Sequence, residues 1–152
     1  MSKYEIYIAS DHHGVDLKDA IAQYLLMYGY TVHDLGTNDA EAVDYPKMAS
    51  KVAQQVSNKP HQVRGILLCG SGIGMCMVAN RFEHVLAGAV WNEELAARAA
   101  VEDGVNVLCL AADYLSEEEC LTYVEIWLTN AFSGDEDDTR RLGQIANLDK
   151  KS

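Results

Sequence analysis

Residues Gly65-Ile66-Leu67-Leu68-Cys69-Gly70-Ser71-Gly72-Ile73-Gly74 decide the fold. The first half is an uninterrupted apolar run, as expected of a strand buried on both faces of a parallel sheet. The second half is a glycine-rich turn, and the chain from Ile73 to Phe82 then reads as a helix. A strand that passes through glycines directly into a helix is half of a βα unit. The same rhythm extends in both directions. Tyr4 to Ala9 reads as a strand and Val15 to Gly29 as a helix, with Leu17, Ile21, Tyr24, Leu25 and Tyr28 on one face and Gly29 as its stop. Tyr30 to Leu35 is a second strand, and Pro46 to Ser57 a helix with proline in its first turn. Strands follow at Val85 to Val90 and Asn106 to Leu110, each succeeded by a helix, Glu93 to Val101 and Glu117 to Asn130. The predicted architecture is α/β: a single doubly wound, Rossmann-like parallel five-stranded sheet with helices on both faces and a C-terminal helix. Residues 1–152 form one domain. The tail from about Gly134 opens on the acidic run Asp135 to Asp138 and is helical to about Leu148.

Composition narrows the function classes. The chain has 152 residues, 49% of them apolar, enough to bury a real core. The formal net charge of -11 argues against nucleic acid and anionic membranes as partners. No apolar run is long enough to span a bilayer, and Met1-Ser2-Lys3-Tyr4-Glu5 leads straight into a strand with no signal peptide. Cys69, Cys76, Cys109 and Cys120 lie in apolar stretches without CxxC spacing, which suits reduced thiols in a cytoplasmic protein and neither a disulfide frame nor a metal site.

In such folds ligands bind beyond the carboxyl ends of the strands, where strand order reverses. Two strand ends carry suggestive chemistry: Ser10-Asp11-His12-His13-Gly14 after the first strand and Cys69 to Gly74 after the third. A glycine turn opening a helix aims several N–H groups at one point and can hold an oxyanion. Helix N-termini favour thiolate over thiol, so a cysteine at the lip of such a turn can attack an acyl carbon or remove a proton beside a carbonyl, with Ser71 placed to hydrogen-bond the sulfur. The plain alternatives are a tight turn after a core cysteine, and for Asp11-His12 a helix cap with a solvated imidazole. His13, His33, His61 and His84 read as surface residues.

Taken together, several separated motifs resemble the ribose-5-phosphate isomerase B and galactose-6-phosphate isomerase subunit family. They are Ile8 to Gly14, Gly36-Thr37, Val43-Asp44-Tyr45-Pro46, Gly65 to Met75, Ala79-Asn80-Arg81 and Asn106-Val107-Leu108, in the family's order over nearly the whole chain. The resemblance implies an aldose–ketose isomerase, needing no metal or organic cofactor, that moves a proton between C1 and C2 through an enediolate. Cys69 would be the base and Ser71 would orient it. The N–H groups of Gly70, Gly72, Ile73 and Gly74 would form the oxyanion hole. Asp11 and His12 would contact the sugar or sugar phosphate, and Tyr45 would wall the pocket. The family also implies a homodimer or homotetramer with shared sites, the tail from about residue 134 contacting a neighbouring subunit.

The departures concentrate where the family opens the sugar ring and grips phosphate. A family His-Asn pair aligns with Glu102 and Asp103, a family arginine with Asp113, and the first arginine of the C-terminal motif with Asp137, leaving Arg141 as the matching cation. A unit charge pair about 5 Å apart at an effective dielectric of about 20 is worth roughly 3 kcal/mol, so two Arg-to-Asp exchanges would weaken phosphate binding. Glu102 could replace the ring-opening histidine if it were buried with Asp103 and Asp113 close by. Three readings follow: a ribose-5-phosphate isomerase, the same chemistry on an unphosphorylated or different sugar, and a weakly active sugar-binding homologue.

Overall fold

The computed structural model describes residues 3–39 and 41–149; Met1 and Ser2 of the N-terminal run lie outside it. The strands are β1 (Glu5–Ser10), β2 (Thr31–Asp34), β3 (Val63–Cys69), β4 (Ala87–Ala89) and β5 (Val107–Ala111). The helices are α1 (Val15–Met27), α2 (Tyr45–Asn58), α3 (Ile73–Ala79), α4 (Glu93–Val101), α5 (Glu117–Thr129) and α6 (Glu136–Asp149). All five strands are parallel, in the order β2-β1-β3-β5-β4. The predicted architecture is the observed one.

Strand periodicity divides β3 between two cores. Ile66 and Leu68 face α1, α4 and α5, whereas Leu67 and Cys69 face α2 and α3. β3 is two residues longer at its start than its apolar run suggests. Val63 pairs with Glu5, and the Arg64 guanidinium lies 3.9 Å from the centre of the Tyr4 ring, so the polar residue at the strand's entry is sheltered by an aromatic face. β4 is shorter than expected, and α3 stops at Ala79 instead of Phe82. Asn80, the residue after α3, bonds the first residue of β4. Its side chain donates to the Ala87 carbonyl at 2.9 Å and accepts from the Ala87 N–H at 2.8 Å, standing in for a neighbouring strand at the sheet edge.

The chain leaves β1 outward to β2, then returns past β1 to β3. The winding direction therefore reverses between β1 and β3, and their carboxyl ends flank the crevice where α/β folds bind ligands. At the opposite pole α6 lies against the sheet's amino edge, and none of its residues is buried. A cavity of about 380 Å³ opens there, lined by Arg64, Asn106, Trp127, Phe132, Leu142 and Ala146 among others, and it contains none of the predicted site residues.

Candidate active site

The turn after β3 builds the first half of the site. Cys69 ends the strand with 4% of its surface exposed, and its Sγ accepts the Gly72 N–H at 3.2 Å. That contact requires Gly72 to turn back at φ +75°, where a side chain would be strained and its Cβ would come within 3.2 Å of the Leu110 carbonyl carbon. The bond to sulfur thus comes from backbone and not from Ser71. The Ser71 hydroxyl instead accepts the Ile73 N–H at 3.2 Å, closing a local turn, and the residue is exposed. The N–H groups of Ser71 and Gly74 have no acceptor among the described residues and remain to bind an oxyanion.

The ends of β1 and β5 complete this pole. Asp11 is 6% exposed; its Oδ1 accepts the His13 N–H at 2.9 Å and its own N–H donates to the Leu68 carbonyl, tying the β1 loop to β3. His12 Nδ1 accepts the Val43 N–H at 3.3 Å, which leaves Nε2 as the protonated nitrogen of the neutral ring. Tyr45, the first residue of α2, sets its ring over Gly74 so closely that a Cβ there would lie 2.7 Å from Cε2 and Cζ. Asp11, His12, Tyr45, Cys69, Ser71 and the turn glycines thereby share the carboxyl pole of the sheet.

Two residues at this pole were not singled out as site residues facing one another. His13, read as a surface residue, faces the crevice, and its Nδ1 lies 3.0 Å from Oδ1 of Asp113. Asp113 reaches over the turn: its Oδ2 is 2.6 Å from where a Cβ on Gly70 would sit, and its N–H donates to the Gly70 carbonyl. Asp113 was read only as a lost cation. The partners are 100 residues apart, so no local pattern joins them.

Glu102, Asp103 and Arg141 are elsewhere in the subunit. α4 runs antiparallel to the strands, so Glu102 at its C-terminal end lies at the sheet's amino pole, away from Cys69. Its side chain is 42% exposed and paired with Arg98 at 3.0 Å, while Asp113 is at the other pole. The burial that an acid role at Glu102 needs is not present within one subunit, and of the two like-charged neighbours only Asp103 is close. Asp103 is exposed beside it. Arg141 pairs with Asp138 at 2.9 Å in the first turns of α6, and Asp137 pairs with Arg140.

Gly74→Ala separates pocket from stability. In a helix the exchange gains about 1 kcal/mol of propensity, but the new methyl must displace the Tyr45 ring. Thermal stability is expected to change by only a few degrees while KM rises several-fold; steady-state kinetics beside a melting curve checks this. The remaining cysteines divide by environment. Burial, with Glu119 nearby, pushes the Cys120 thiol up to about 11, and the hydrogen bond to Cys76, with burial, raises Cys109 well above the usual thiol range. Both are expected to resist alkylation of the folded protein at pH 8, measured by mass spectrometry after iodoacetamide.

Among the described residues, no group of three or more His, Cys, Asp or Glu side chains could hold a metal ion, and no helix is long and apolar enough to cross a membrane.

A cysteine-bearing glycine turn at the switch point of a parallel sheet marks an α/β protein that works on a small ligand at the end of β3. The chain belongs to the ribose/galactose isomerase family, whose sequence profile matches residues 6–145. It is 39% identical over 150 residues, 98% of each chain, to a protein of Mycoplasma genitalium named as a probable ribose-5-phosphate isomerase B. The crystal structure of ribose-5-phosphate isomerase B from that organism, with ribulose 5-phosphate bound, superposes with a TM-score of 0.96 at 37% identity, covering 100% of both chains. A ribose 5-phosphate isomerase from Thermotoga maritima superposes with a TM-score of 0.90 at 35% identity over 96% of this chain and 99% of that one.

Proposed function

We propose that this protein is an aldose–ketose isomerase that interconverts ribose 5-phosphate and ribulose 5-phosphate by proton transfer through an enediolate. The observation that carries the reading is the Cys69 turn, set at the switch point of a chain that matches a ribulose 5-phosphate-bound enzyme along its whole length. In the forward direction the Cys69 thiolate takes the proton from C2 of the open-chain aldose. The C2–H electrons form the C1=C2 bond and charge moves onto O1, where the free N–H groups of the turn meet it. The O2 hydroxyl proton passes to O1, and return of the carbon-bound proton to C1 as C2=O2 forms gives the ketose. His12 Nε2–H and Asp11 hold hydroxyls, Tyr45 walls the sugar, and Ser71 keeps the turn in shape.

The acidic exchanges at Asp113 and Asp137 pointed to a free sugar. Each carboxylate has a basic partner, His13 and Arg140, and the Mycoplasma genitalium and Thermotoga maritima structures are named for a phosphorylated pentose. Both considerations favour the phosphate ester. Phosphate binding by Arg141 requires a neighbouring subunit, since this residue lies at the pole opposite Cys69. The exposed apolar residues Ile145 and Leu148 of α6 suit such a contact, so the working form is a cytoplasmic homodimer or homotetramer with shared sites. The test is proton exchange in D2O followed by NMR, with pentoses, hexoses and their phosphates offered in turn. Exchange at C2 of ribose 5-phosphate supports the reading; exchange with free sugars alone, or with none, rejects it.

A further inference from the structure

Ribose 5-phosphate exists in water as a furanose, closed between C1 and O4. Cys69 can act only after that ring opens, because the C2 proton becomes acidic only beside an open-chain carbonyl. Opening requires an acid for O4. The carboxyl and imidazole groups held at the carboxyl pole include Asp11, His12, His13 and Asp113, and the Tyr45 phenol over Gly74 is a far weaker acid. Asp11 is buried and spends an oxygen on the His13 N–H. The His12 ring must keep Nδ1 unprotonated to accept from Val43, so it cannot take a second proton without losing that bond. His13 is differently placed. Its Nδ1–H has a carboxylate acceptor 3.0 Å away, which fixes that nitrogen as the protonated one and leaves Nε2 to gain and lose a proton. The side chain is 43% exposed, with Nδ1 3.6 Å from where a Cβ on Gly70, the residue after Cys69, would sit.

We propose that His13, oriented by Asp113, is the acid that opens the sugar ring in this enzyme. His13 Nε2–H gives its proton to O4 as the C1–O4 bond breaks. The bonding pair goes to O4, the O1–H proton leaves to water, and C1=O1 forms. The imidazole is reprotonated from water, so no proton is gained or lost overall. Asp113 does not touch the sugar; it is a positioning residue acting through His13. This rests on the isomerase reading above and adds a division of labour to it: His13 opens the ring, Cys69 moves the carbon-bound proton.

The two steps can be read separately, because ribulose 5-phosphate cannot close a five-membered ring with its O5 esterified. Its C1 proton exchange in D2O needs Cys69 but no ring opening, whereas turnover of ribose 5-phosphate needs both. For His13→Asn, turnover of ribose 5-phosphate should fall about 10²-fold, the lower end of what general acid–base catalysis contributes. Ribulose 5-phosphate exchange should fall by no more than a few-fold. Asp113→Asn should show the same imbalance at smaller amplitude. Equal losses in both assays, or no loss in either, would overturn the assignment, as would the imbalance appearing in Glu102→Gln and not in His13→Asn. Failure of the wild-type protein to exchange ribulose 5-phosphate would instead reject the underlying isomerase reading.

Discussion

Cys69→Ala is expected to lose about 10³-fold or more in turnover, within the range that a positioned general base contributes. The argument is geometric first. Cys69 is the one side chain that ends β3 at the switch point, and the backbone is shaped to serve it: Gly72 adopts φ +75° and delivers its N–H to Sγ at 3.2 Å. Alanine removes both the base and that acceptor, so a loss of activity could be blamed on the turn. Cys69→Ser resolves this. A hydroxyl keeps an acceptor for Gly72 and nearly the same volume, and its effect on stability should stay within about 1 kcal/mol. A serine hydroxyl is nonetheless far too weak an acid to be ionised near neutrality and cannot replace a thiolate as base. The serine variant should therefore fold like the wild type, bind the sugar phosphate, and exchange its carbon-bound proton at least 10²-fold more slowly. Substantial exchange in the serine variant would move the base elsewhere.

This site was half legible in the sequence, and the division has a physical cause. β3 and its glycine turn could be read because local patterns encode them: an apolar run for a strand buried on both faces, glycine where the backbone must turn back, cysteine between. The position of Glu102 also follows from local order, since a helix that starts at the carboxyl edge of a parallel sheet ends at the amino edge. What could not be read is who meets whom across the crevice. Asp113 counted as a lost cation and His13 as a surface imidazole, yet in the fold each is the other's partner. The β1 and β5 loops converge only because β3 lies between β1 and β5 in the sheet, and strand order is not written in any one segment. The start of β4 escaped for a related reason: the pairing at its first residue, Ala87, comes from the Asn80 side chain, not from its own sequence.

Lys18 carries the second large effect. It lies on α1, fully buried, where a lysine is uncommon, and all three of its protons are used: on Asp34 Oδ2 at 2.5 Å, Asp19 Oδ1 at 2.9 Å and Asn38 Oδ1 at 3.0 Å. Removing one member of a buried ion pair typically costs about 3–5 kcal/mol, because its partner is left charged without compensation. Here the partners are reached by water, Asp34 being 32% and Asp19 57% exposed, so part of that cost is relieved. Lys18→Met should therefore cost about 2–3 kcal/mol after that discount. For a chain of this length that is roughly 5–10 °C in Tm. Adding Asp34→Asn should recover part of the loss, since the stranded carboxylate is what the single variant pays for; a urea-unfolding double-mutant cycle measures the coupling. The cost should not be confined to stability. Asp34 also accepts the Gly36 N–H, the Gly36 carbonyl accepts the Ser10 N–H at 2.8 Å, and the Thr37 N–H donates to the Ser10 carbonyl at 2.9 Å. Lys18 thus fixes the loop that holds the end of β1, one residue before Asp11. Loosening it should raise KM for the sugar phosphate even at temperatures where the variant is fully folded. A Lys18→Met protein with wild-type KM and a Tm within 2 °C of wild type would show that this buried charge anchors neither the fold nor the site.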